Sequence, residues 1–125
     1  MGKFSKEYNS MIKKNSKEIM KLAKKASTTP FDSNIALELL VASLKFMRDY
    51  YKLGENVHSE EVKYFNDDCV TKMTRLESLE ETIKIYEKWK EYQYKIFKQE
   101  DIERCEEFKK RFFDLLYNYI DEWWD

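Results

Sequence analysis

The chain predicts an all-α fold, a compact helical bundle of about five helices with no β-sheet. Three observations carry that expectation. Only two glycines and one proline occur in 125 residues, and none lies between Glu55 and Asp125, which leaves little of the turn chemistry that strands need. Through most of the chain, apolar residues recur every three or four positions, the period of a helix with one buried face. Hydrophobic residues make up 42% and charged residues 38%, a balance that excludes both a membrane-embedded and a disordered chain. A chain of this length buries about two-thirds of its unfolded surface around one core, so residues 1–125 are expected to form a single all-helical domain.

The first helix is expected over residues 3–27. At 100° per residue, Phe4, Tyr8, Met11, Ile12, Ile19, Leu22, Ala23 and Ala26 share one arc, and the lysines take the opposite one. Ser27–Phe31 ends it, because Pro30 cannot continue a helix. Asp32 or Ser33 then caps a second helix over 33–53, with Gly54 just beyond its end. Its polar residues fit a narrow arc, which marks it as the most buried helix. A third helix over 59–77 follows from Val62, Phe65, Cys69, Met73 and Leu76 on one face. Ser78 followed by Glu81 matches a capping box and starts a fourth helix, 78–98. The last, 101–124, stacks Ile102, Cys105, Phe108, Phe112, Leu115, Leu116, Tyr119, Ile120 and Trp123 in one arc.

Charge is divided unevenly along the chain. Residues 1–30 hold eight lysines against two glutamates, net +6, and residues 31–125 hold 15 basic against 22 acidic residues, net −7. No apolar run reaches the roughly 18 residues of a membrane span, and no secretory h-region opens the chain, so a cytoplasmic protein without a membrane partner is expected. Cys69 and Cys105 read as free thiols packed on apolar faces. Lysine-rich, arginine-poor usage, with much Ile, Tyr, Phe, Asn and Glu, points to an AT-rich coding sequence such as low-GC bacteria, phages and mobile elements carry.

Chemical motifs are sparse, and no catalytic residue, metal ligand or cofactor is assigned. His58 is the only histidine and follows no arginine at the spacing of a HEPN-type ribonuclease. No CxxC, HxxxH or ExxH pair and no glycine-rich phosphate loop is present. Glu100 and Glu103, followed by Glu122 and Asp125, formally resemble the ExxE…ExxD signature of the all-α nucleotide pyrophosphohydrolase family. That resemblance implies Mg²⁺ held by carboxylates of two antiparallel helices against nucleotide phosphates. A single helix over 101–124 would instead hold the two pairs roughly 30 Å apart. Enzyme activity is therefore not expected.

Three surfaces exceed what stability requires. The lysine face of the first helix, represented by Lys14, Lys17, Lys21 and Lys24, is the candidate basic face for nucleic acid. Ile85, Trp89, Tyr92 and Ile96, spaced 4, 3 and 4, form a second seam on the fourth helix and a candidate partner or homodimer interface. Asp121, Glu122, Trp124 and Asp125 form a candidate acidic docking tail, because acids at a helix C-terminus oppose its dipole unless a cation is near. The expected function is a non-catalytic protein–protein interaction module. It is read as a phage- or mobile-element-type inhibitor docking on a basic surface of a nucleic-acid-processing, host-defence protein (an anti-defence role). Alternatives are a nucleic-acid-binding accessory subunit and a helical bundle of the bacteriocin immunity type, which it resembles only in size and composition.

Overall fold

A computed structural model describes the backbone of residues 2–53, 61–66, 69–95 and 98–123, and side chains over 6–53, 73–95 and 98–123. Among the described residues, four α-helices carry the fold: α1 (Gly2–Thr28), α2 (Ser33–Leu53), α3 (Arg75–Gln93) and α4 (Gln99–Tyr119). The all-α class is therefore observed, with one departure. Residues expected as a third helix, 59–77, instead contain two strands, β1 (Glu61–Asn66) and β2 (Cys69–Thr74). They pair antiparallel in a register running from Glu61↔Thr74 to Asn66↔Cys69. The 3, 4, 4 spacing of Val62, Phe65, Cys69 and Met73 fits a helix, but a short apolar run does not distinguish the two periods. Val62, Val70, Thr71 and Thr74 favour a pleated backbone, and the sequence Asn66-Asp67-Asp68 offers turn chemistry without glycine.

The chain divides into two compact units, residues 1–57 and 58–125. In the first, α1 and α2 form a helical hairpin. Ser27, Thr28 and Thr29 close α1: their hydroxyls donate to the carbonyls of Lys24 and Lys25 at 2.8–2.9 Å, and the Thr29 amide also donates to the Lys25 carbonyl at 3.0 Å. Asp32 caps α2, its Oδ1 accepting from the Asn34 amide at 2.9 Å. Leu22 of α1 and Val41, Ala42, Leu44 and Tyr51 of α2 are buried. A polar staple crosses the seam: buried Asn15 donates through Nδ2 to the Met11 carbonyl (2.9 Å) and to Asp49 Oδ2 (3.1 Å). Asp49 Oδ1 also accepts from Arg48 Nε at 3.1 Å.

In the second unit, β2 leads directly into α3. The start of α3 is a true capping box, but at Thr74 and Glu77 rather than at Ser78 and Glu81. Thr74 Oγ1 accepts from the Glu77 amide at 3.0 Å, and Glu77 Oε1 accepts from the Thr74 amide at 2.9 Å. Ser78 is instead buried, with its hydroxyl donating to the Arg75 carbonyl at 2.9 Å. Ser78, Leu79, Thr82, Ile83, Ile85, Tyr86 and Trp89 are all buried, an arc of about 160° at 100° per residue. Among the described residues α3, not α2, is the most deeply buried helix. It ends at Gln93, short of the expected 98. Glu100 and Asp101 fall in the first turn of α4, where its dipole favours negative charge.

α3 and α4 run antiparallel, joined by an aromatic ladder. Tyr92 faces Phe108 with ring centroids 5.5 Å apart, Trp89 meets Phe112 at 5.8 Å and Phe113 at 6.0 Å, and Tyr86 meets Phe112 at 5.4 Å. Near its end the last helix tightens into a 3₁₀ turn, Ile120–Glu122, rather than continuing as α-helix to 124. No helix among the described residues is long and apolar enough to cross a membrane.

Candidate interaction surfaces

The 3₁₀ turn seats Trp123 against the start of α3. Its side chain is fully buried, and its Nε1 donates to Ser78 Oγ at 2.7 Å. The indole stacks on Tyr119 with centroids 6.4 Å apart and ring planes 10° from parallel. Arg75 supplies the cation that the acidic end of the chain calls for: its Nε donates to the Glu122 carbonyl at 2.6 Å. Residues 75–78 and 122–123 thus latch the two ends of the helix pair together. Trp123 belongs to the core, as its place in the apolar arc implies. Asp121 and Glu122 are exposed beside this latch, whereas Trp124 and Asp125 lie outside the described residues.

The exposed surface that adjoins Asp121 and Glu122 is wider than the tail alone. Phe113 (43% exposed), Tyr117 (84%) and Ile120 (44%) lie at i, i+4 and i+7, one stripe along α4. Asp114 and Asp121 are exposed beside the stripe, and no basic residue occurs between Asp114 and Asp125. The sequence pattern places Ile120 in the buried arc and gives Phe113 and Tyr117 no role. The 4, 3 spacing of 113, 117 and 120 is the available signal. It is masked because Phe112, Leu115, Leu116 and Tyr119 set a stronger one beside it.

The second seam of the fourth predicted helix lies differently. Ile85 and Trp89 are buried, and Trp89 packs on Phe112 and Phe113 of the same unit. Tyr92 is half-buried over Phe108, and its hydroxyl accepts from Arg104 Nη1 at 3.2 Å, which holds the Arg104 pKa above its usual value. Ile96 lies outside the described residues. The two sides on which this helix needs neighbours are thus partly supplied by α4.

The lysine face of α1 is laid out as its period implies. Lys14, Lys17, Lys21 and Lys24 are all exposed, as are Lys6, Lys13 and Lys25. None of them makes an ion pair within 4.0 Å among the described residues. An open cleft of about 630 Å³ beside this face is lined by Lys6, Ser10, Lys14, Asp49 and Lys52. On the other side of the α1–α2 seam, Tyr8, Ile12, Ile19, Phe46, Met47 and Tyr50 line an apolar cleft of about 390 Å³.

The carboxylates of the pyrophosphohydrolase-like pattern are not brought together. Glu100 lies in the first turn of α4 and Glu122 in the 3₁₀ turn beyond its end, about 30 Å away along the helix. Asp125 and His58 lie outside the described residues. Among the described residues, no three His, Cys, Asp or Glu side chains cluster as metal ligands would. Cys105 is a free, half-buried thiol, and Cys69 sits in β2 opposite Asn66 rather than on a helix. No family model, no curated protein and no solved structure matches this chain.

Proposed function

We propose that the chain is a non-catalytic binding module that docks on a basic surface of another protein through the outer face of α4. One observation carries this reading: Tyr117 stands 84% exposed between Phe113 and Ile120, with Asp114 and Asp121 alongside. Tyr117 is a large exposed aromatic with acids three residues before and four residues after it, and aromatic anchors of this kind dominate binding energy at interfaces. The acids add steering toward a positively charged partner and exclude acidic ones. The charge of the second unit points the same way, since residues 58–125 carry 18 acidic against 12 basic side chains, net −6.

A partner with a basic face is most simply one that handles nucleic acid. Occupying that face would inhibit it, the role small inhibitors of phages and mobile elements play. Trp124 and Asp125, which follow in sequence and lie outside the described residues, are part of the proposed docking tail with Asp121 and Glu122. The test compares affinity capture by the wild-type chain, by Tyr117→Ala/Asp114→Asn/Asp121→Asn, and by Lys14→Gln/Lys17→Gln/Lys21→Gln/Lys24→Gln. The reading expects a basic protein retained by the first and third and lost by the second. A partner lost only with the lysine variant, or nucleic acid as the sole capture, would overturn it.

A further inference from the structure

We propose that the lysine face of α1 is a second binding site, one that contacts the phosphate backbone of a nucleic acid without reading its sequence. The proposal rests on unit 1 alone and is independent of the α4 surface. Residues 1–57 carry 11 basic against six acidic side chains, net +5, the opposite sign to residues 58–125. Lys13, Lys14, Lys17, Lys21, Lys24 and Lys25 are exposed on one face of about 120°. Glu7 and Glu18, at the margin of that face, are exposed too, and neither neutralises a lysine by an ion pair among the described residues. Asp49, the nearest acid of α2, is held by Asn15 and Arg48.

This face is self-repelling. Lys13–Lys17, Lys17–Lys21 and Lys21–Lys25 are i, i+4 pairs, and Lys14–Lys17 and Lys21–Lys24 are i, i+3 pairs, each destabilising for like charges. Solubility needs far less, and alternating signs would serve it better. A polyanion laid along the face relieves every one of these repulsions at once. Lys14 to Lys24 spans about 15 Å of helix, a length over which one strand of duplex presents roughly four phosphates.

The chemistry selects the occupant. Lysine ammoniums are point charges that bind phosphate without the planar, two-point grip of arginine, and no arginine lies in α1. Contact is therefore to the backbone and not to base edges. A membrane surface is the weaker fit: α1 would have to sink its apolar face into lipid, yet Leu22 is buried and Met11, Ile12 and Ile19 are half-buried.

The test is fluorescence anisotropy of a labelled 20-base-pair duplex and a 20-nucleotide single strand against the full chain, titrated with salt. Four to seven phosphate contacts give a slope of log K against log salt of about −4 to −6 on duplex. Even four contacts predict a loss of roughly a hundredfold between 50 and 200 mM salt. Replacing Lys14, Lys17, Lys21 and Lys24 with Gln is expected to flatten the slope by about 3 to 4, with helical circular dichroism unchanged. Lys109→Gln/Lys110→Gln on α4 is expected to leave it unaltered, as is the Tyr117 triple variant. The proposal fails if the wild type shows no binding at 50 mM salt, or if the four-lysine variant keeps the wild-type slope. It also fails if the chain binds phosphatidylserine vesicles and neither oligonucleotide.

Discussion

Replacing Trp123 with alanine removes the side chain that closes the second unit. The indole is fully buried, stacks on Tyr119, and donates to Ser78 Oγ at 2.7 Å. Truncating a buried tryptophan costs about 3–5 kcal/mol, from lost transfer energy and the cavity left behind. With a urea m-value of about 1.5 kcal/mol/M, the unfolding midpoint falls by roughly 2–3 M. Trp123→Phe separates the two contributions. It keeps most of the ring and loses the donor, so about 0.5–1.5 kcal/mol goes with the hydrogen bond. Ser78 still donates to the Arg75 carbonyl, so its hydroxyl proton is not stranded. A double-mutant cycle of Trp123→Phe with Ser78→Ala is expected to show a coupling energy of similar size. The assay is urea unfolding followed by circular dichroism, because the substitution itself alters tryptophan fluorescence. A loss below about 1 kcal/mol for Trp123→Ala, the range of a surface residue, would refute the latch.

Thr74→Ala removes one half of the capping box and is expected to cost about 1 kcal/mol by the same unfolding assay. Phe112→Ala, at the centre of the aromatic ladder, is expected to cost about 3–5 kcal/mol. Tyr117→Ala is expected to change stability by no more than about 0.5 kcal/mol, so its effect on partner capture reads binding alone. Glu91 titrates below its usual value, chiefly through the hydrogen bond from Lys95 and then the charges of Lys95 and Lys88. A lowered carboxyl pKa contributes stability that is present above the unfolded-state value and lost as pH falls through the folded one. Carbon-detected NMR titration is expected to show the Glu91 pKa return upward in Lys95→Gln.

The helices that a strong single period supports were legible in the sequence. α1 and α2 begin and end within a residue of expectation because Pro30, Asp32 and the lysine arc act as local signals. The hairpin was not legible, since Val62, Phe65, Cys69 and Met73 satisfy a helical spacing, and cross-strand partners as far apart as Glu61 and Thr74 leave no local mark. Scarce glycine does not exclude a turn, because Asn66-Asp67-Asp68 already offers turn residues. Of the two matching capping patterns, Thr74-x-x-Glu77 and Ser78-x-x-Glu81, only the tertiary fold decides, because burial claims Ser78 for Trp123. The surface on α4 was half legible. Asp121 and Glu122 stood out by charge, but Tyr117 could be recognised as exposed only once Phe112, Leu116 and Tyr119 fixed which face points inward.

Docking of a basic protein on the exposed aromatic and acidic face of α4 is the proposal on which the function rests. Its most direct measurement is titration calorimetry between the chain and the protein that it captures, for the wild type and for Tyr117→Ala. Saturable binding is expected, weakening with added salt and losing at least about 2 kcal/mol, roughly thirtyfold, on Tyr117→Ala. Equal affinities for the two chains would contradict it.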